Sequence, residues 1–568
     1  MKIRQKKPDL SMRIANKSIP ERSHGTVWRQ MTVLSLTLTM LVSCLGISDE
    51  DFTSRKGTIG YVSGALGVIS VEEPQAALIA RDVLSSGGTA ADAATAVGFA
   101  LTASMPSSAS LAGGGICIAR DARGEVPTVI DFLPRASNAS ATGADRPSAV
   151  PGLPRGLFLL HSRFGELKWE RVIVPAENLA RFGFNVPRAF ASEYAKVSEI
   201  LLRDPAMARK LSSSKGAPLV EGDFLKQPDL AGTLGRIRAH GVGDLYLGQD
   251  AKLLVEAVKA AGGTLTLEDL RDYRPLVREP ISFPWESNTI WHFAGPPAVG
   301  GGVAAEMLAV LLEGQRFEKA DGMLREHLIV EAAKRAFVQR MNNLQADGTY
   351  REGPETRITE AAASKISDGI DDDRATPLSS LIATPVDWPE TPAAVSYAIM
   401  DTRGGAVACT LTMNNLFGTG RVAAGFGTIL AAAPDNLGRT FTPVGPALLT
   451  SKLFNRAYMA AAASGGVTAS TALVNVLARS AAGPQSLIEA MRAPRTHYAG
   501  VPDKVFVEES MPADIVEGLR KRGHDVVQTN AIGRVTAVYC PTGVPSEKGV
   551  SCTSANDQRG YGIALGGN

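Results

Sequence analysis

A chain of 568 residues with 45% apolar residues and 57 glycines can bury a large core and is too apolar to stay disordered. Its formal net charge is only +2, which gives no nucleic-acid-binding footprint. The balance is uneven: residues 1–43 hold eight Lys/Arg against two Asp/Glu, so the remainder is acidic.

In chain order, the basic leader comes first. Its apolar run, Met31–Val42, follows Arg29 and precedes Ser43-Cys44. That length is too short for a membrane-spanning helix and suits a signal-peptide core. Residues 1–43 are expected to be a signal peptide with a long basic leader, with Met12 and Met31 as alternative starts. Leu41-Val42-Ser43-Cys44 resembles a bacterial lipoprotein box, which implies lipidation of Cys44 and membrane anchoring in the periplasm. Leu45 favours the outer membrane over the inner. An ordinary signal peptide or anchor with an incidental cysteine is the alternative.

After a linker, 44–60, a strand is expected near Val68 and then a helix with Ala76, Ile79, Ala80 and Val83 on one stripe. A second helix opens at Thr89 and is rich in small residues, so it should be buried. The run Gly113-Gly114-Gly115 lacks the lysine of a phosphate loop and reads as a turn into the strand Ile116–Arg120. Helical patterns dominate 150–353. A polar, proline-containing stretch, 354–392, reads as an irregular exposed connection.

The segment Ser396–Gly420 reads as a β-hairpin turning at Thr402–Gly405. On its second strand Val407, Cys409, Leu411 and Met413 share one face, and Ala406, Ala408, Thr410, Thr412 and Asn414 the other. Cys117 and Cys409 fall in strands expected to be buried. Cys540 and Cys552 flank a loop and are either bonded to each other or both free. The seven histidines show no HxxxH spacing and suggest no metal site. No cofactor is suggested either.

Several further motifs follow in order. They include Gly87-Gly88-Thr89-Ala90-Ala91-Asp92-Ala93, Pro106-Ser107-Ser108, Val150-Pro151-Gly152, Gly295-Pro296-Pro297, Glu331-Ala332 with Arg340, Ala493–His497, Gly523-His524 and Asp557-Gln558-Arg559. Together with the hairpin they resemble the γ-glutamyltranspeptidase family from about Gly60 to the C-terminus. The resemblance implies an α+β fold, the four-layer αββα N-terminal-nucleophile hydrolase architecture. It also implies a large-subunit-like region, 61–353, a cleavage-site linker, 354–392, and a small-subunit-like region, 393–568. In the family an N-terminal Thr released by self-cleavage attacks a γ-glutamyl amide.

Carried over residue by residue, Thr412 and Asn414 match positions that support the nucleophile and touch substrate. Gly465 and Gly466 match the oxyanion turn. The nucleophile position itself falls on Ala394. Leu133 stands where the family has a carboxylate-binding Arg, with Arg135 displaced. Asn436 stands at the amine-binding Asp position, with Asp435 adjacent. Thr391 is a fallback nucleophile, although it needs a three-residue insertion, and Ser396 sits two residues too late. The expectation is a family member without the family's hydrolase or transferase activity, able to bind a small peptide or amino-acid-like ligand. The alternative is an active hydrolase, transferase or related amidohydrolase that cleaves itself before Thr391.

Overall fold

Strand alternation decides how this chain stacks. In Ala406–Thr412, Val407, Cys409 and Leu411 join one apolar cluster, while Ala406 and Ala408 join another. A strand buried on both faces must lie between two layers. The computed structural model describes residues 67–568 apart from 125, 139–143, 346–347, 387–392, 435–442, 455, 544–551 and 567–568.

The strands of the two main sheets, in chain order, are β1 (Val68–Val71), β2 (Gly114–Arg120), β3 (Thr128–Phe132), β4 (Leu276–Arg278), β5 (Ile281–Trp285) and β6 (Thr289–Phe293). They continue with β7 (Ala394–Met400), β8 (Ala406–Thr412), β9 (Ala447–Ser451), β10 (Ala457–Ser464), β11 (Arg534–Tyr539), β12 (Thr553–Ala555) and β13 (Ile563–Leu565). The first sheet has the order β13-β1-β7-β8-β2-β3-β4 and the second β12-β11-β10-β9-β6-β5, antiparallel throughout. Small side chains, among them Ala398, Ala408, Ala460 and Ala462, fill the space between them.

Helices cover both outer faces. On the first sheet lie α1 (Pro74–Ser85), α2 (Ala90–Ser104) and α3 (Leu153–Phe164); on the second lie α4 (Val299–Leu312) and α6 (Thr468–Ala481), with α5 (Gly322–Asn343) packed on α4. This is the expected four-layer arrangement. Helix α2 is buried along its whole length, and its start is fixed by a capping box between Thr89 and Asp92. Gly114 opens β2 because a Cβ there would lie 2.1 Å from the Phe132 carbonyl oxygen, so the glycine run serves strand packing.

Three features depart from the sequence expectation. Within the helical region, β4 supplies the edge strand of the first sheet, and β6 and β5 the last two strands of the second. The stretch expected to be irregular carries a helix, Glu360–Asp368, and buries Ile358, Ala363, Ile370 and Leu378. Cys117 and Cys409, for which only buried strands were expected, face each other in the β2–β8 register and are bonded, with Cα atoms 4.1 Å apart. Cys540 and Cys552 are bonded as well. Among the described residues no helix is long and apolar enough to cross a membrane.

Candidate active site

The hairpin β7–β8 sets the geometry. Ala394 heads β7 and pairs with Thr412 at the end of β8. The Thr412 hydroxyl donates to the Ala393 carbonyl at 2.7 Å and accepts the Asn414 N–H at 3.0 Å. Asn414 is held at φ 62 and its side-chain amide donates to the Ala432 carbonyl. A hydroxyl and an amide are therefore fixed around the start of β7, where Ala394 contributes a buried methyl group.

From the second sheet, β10 ends at Ser464 and runs into the Gly465–Gly466 turn. Gly465 has φ +123, and a Cβ on it would lie 2.8 Å from the Gly533 Cα, so only glycine fits. Ser464 pairs with Arg534, whose guanidinium donates to the Ala394 carbonyl at 3.3 Å. That one arginine brings the turn and the head of β7 together. The Ser464 hydroxyl is buried and has no hydrogen-bond partner among the described residues.

Arg534 also anchors a buried network that the sequence did not reveal. It binds Glu72 at 2.7 Å and Glu193 at 3.1 Å. Glu72 accepts from the Ser396 hydroxyl at 2.6 Å, and Glu193 accepts from Ser107 and Ser108. Burial disfavours the Arg534 charge, but the two carboxylates outweigh it and raise its pKa. Ser396 is thus a partner of Glu72 inside the sandwich. The local sequence gives no sign of this, since Glu72 and Arg534 stand 462 residues apart.

The remaining expected site residues divide. Leu133 is buried in the inter-sheet cluster with Ala394, Ala298 and Leu448. Arg135 donates to the Arg274 carbonyl, lies 3.8 Å from Asp131 and covers the Tyr273 ring at 5.0 Å. Both line a cavity of about 660 Å³ shared with Arg278, Pro297, Tyr350 and Pro434. Thr391, Asp435, Asn436 and Cys44 lie outside the described residues.

One cluster away from this site has metal-ligand chemistry: His327, Glu331 and His524. His327 Nδ1 and His524 Nε2 are 2.8 Å apart, and His327 Nε2 meets the Asp371 carbonyl. Burial pushes His524 down to about 3 and lowers His327, so both rings are neutral at pH 7. Glu331, however, accepts from Arg335 and the Thr376 N–H and lies 3.6 Å from Lys334. Burial would raise its pKa, but these partners lower it. Its charge is already neutralised, which disfavours a cation.

The stacked antiparallel sheets, with the hairpin and glycine turn meeting at one end, define an N-terminal-nucleophile hydrolase scaffold. The structure superposes on cephalosporin acylase from Bacillus halodurans with a TM-score of 0.74 at 23% identity, covering 90% of this chain and 98% of that one. The gamma-glutamyltranspeptidase family model matches residues 76–567, and the chain belongs to that family. It is 28% identical to the glutathione hydrolase proenzyme of Escherichia coli over 83% of this chain and 88% of that protein. It is 29% identical to the acylase ACY 1 proenzyme of Pseudomonas sp. strain SE83, over 91% and 96%.

Proposed function

We propose that this chain keeps the family fold without the family's hydrolase or transferase chemistry, and uses the site to bind a small peptide or amino-acid-like ligand. The observation that carries the reading is Ala394, the residue paired with Thr412 at the head of β7. Nucleophilic catalysis needs a hydroxyl, thiol or amine whose proton a base removes, and a methyl group has none. The buried Ser464 hydroxyl beside Gly465 supports ligand binding, because an unpaired buried polar group is costly unless something bonds it. Leu133 in place of an arginine disfavours a free γ-glutamyl head group. The reading extends to location: a periplasmic lipoprotein held in the outer membrane through Cys44.

The test is processing. Purified protein on a reducing denaturing gel, with mass spectrometry, is expected to show one uncleaved species; the unprocessed sequence has a mass of 59.7 kDa. Two fragments with Thr391 as a new N-terminus, releasing product from a γ-glutamyl anilide, would overturn it. The rival reading, an active enzyme cut before Thr391, is favoured by the retained Thr412, Asn414 and Gly465–Gly466.

A further inference from the structure

The Ala394 and Ser464 end of the two sheets holds the candidate site. The opposite end carries different chemistry. There β9 and β10 are joined by a tip in which Leu453 and Phe454 are 67% and 66% exposed, with Lys452 and Arg456, also exposed, on either side. Two adjacent large apolar side chains in water are costly unless something covers them. The β2–β3 turn lies at the same end of the first sheet and exposes Arg123 and Val126. Among the described residues, the acid in the turns at this end of the second sheet is Glu286, between β5 and β6, close enough to Tyr539 to help raise its pKa, after burial.

The chain also enters the described unit at this end. Gly67 packs against Met400 and Asp401 at the β7–β8 turn and touches Gly566. The Gly566 carbonyl accepts from Ser554, whose neighbour Thr553 pairs with Tyr539; the next residue, Cys540, donates its N–H to Tyr458, and Arg456 donates to Thr542. A continuous set of contacts therefore links the point of entry to the tip. The residues before Gly67 include the basic leader, the apolar run Met31–Val42 and Cys44.

We infer that this end is a membrane-facing surface, with Leu453 and Phe454 inserting into the interface of an anionic bilayer while Lys452 and Arg456 meet lipid phosphates. Apolar side chains flanked by basic ones suit that boundary, where area burial and attraction to anionic headgroups add. The acyl chains of a lipidated Cys44 would hold the protein at the bilayer, and a second contact of this kind would fix which end faces it. The inference rests on the chain reaching a bilayer, and it orients the candidate site away from the lipid.

The test uses the full chain, purified from bacterial membranes and reconstituted into phosphatidylethanolamine–phosphatidylglycerol vesicles. Leu453→Cys is labelled with an environment-sensitive fluorophore, and Leu247→Cys, at a position 63% exposed in the helical layer, serves as the control. The four disulfide-bonded cysteines take no label. The label at 453 is expected to shift to blue emission and to be shielded about tenfold from aqueous iodide relative to the label at 247. Lys452→Glu with Arg456→Glu should remove most of that shielding. Equal quenching at both positions overturns the inference. So does shielding at 453 that appears without vesicles as protein concentration rises, which would assign the tip to a second copy of the chain. A failed anchor is seen separately, because intact-mass spectrometry shows whether the purified chain begins at a lipid-bearing Cys44, whatever the tip does.

Discussion

Two arginine-centred knots, one around Arg495 and one around Arg534, make the comparison that best explains this molecule. Arg495 is fully buried, binds Asp557 at 2.7 Å and donates to the Ile532 and Gly533 carbonyls. Arg559 binds the same Asp557 at 3.1 Å and also pairs with Glu508. Arg534 is held in the same way, by Glu72 and Glu193, but its remaining reach ends on the carbonyl of Ala394. The first knot is made from residues of the Ala493–His497 and Asp557–Arg559 motifs and touches no reacting position. Those motifs therefore report the scaffold. On the proposed reading, Ala394 and Leu133 stand at positions of chemistry and that knot is untouched by them.

The largest effects should come from opening these knots. Asp557→Ala leaves Arg495 buried without its counter-charge and is expected to cost about 3–5 kcal/mol, read as a fall in urea midpoint. If the loss is under about 1 kcal/mol, the knot is not a scaffold element. Arg534→Met strands two carboxylates and should cost about 3 kcal/mol. A much smaller loss would mean that water reaches Glu72 and Glu193.

Acid should act next. Burial pushes His497 and His524 down to about 4 and about 3 in the folded state, against about 6.5 when unfolded. The unfolded chain then binds more protons, so stability is full above about pH 6.5 and falls as pH drops toward 4, by about 2–3 kcal/mol per group. His497→Gln should flatten that slope in thermal melts from pH 7 to 4. An unchanged slope would remove His497 from the account.

A smaller effect is expected at the site itself. Thr412→Val removes a donor and an acceptor around Ala393 and should cost about 1–2 kcal/mol by chemical denaturation. Ala394→Thr should change stability by less than about 1 kcal/mol and yet restore cutting before residue 394, since Thr412, Asn414 and the glycine turn already surround it. If the reducing gel shows no cutting, position 394 is not the family's nucleophile position.

The sequence made the hairpin legible through a strand's period of two, and the structure keeps Val407, Cys409 and Leu411 on one face and Ala406 and Ala408 on the other, while Asn414 lies past the strand's end at φ 62. Helix α2 was legible from its small residues, and its start at Thr89 is fixed in the structure by the Thr89–Asp92 capping box. Strands β4 to β6 were not, because they are short and interrupted by Pro280 and Pro284 amid helical patterns. Nor were the networks: the His327–His524 contact spans 197 residues, and such a pairing leaves no local periodicity. For the same reason the contacts of Arg135 with Asp131 and Tyr273 were not legible, although it does line a cavity with Leu133.

The Cys117–Cys409 bond joins positions 292 residues apart, one on each side of the 387–393 stretch. A break anywhere in that stretch would leave the two pieces as a single covalent molecule. Without a reductant such a protein would migrate as though intact, and a reacted terminus would stay tethered to the sheet that formed it.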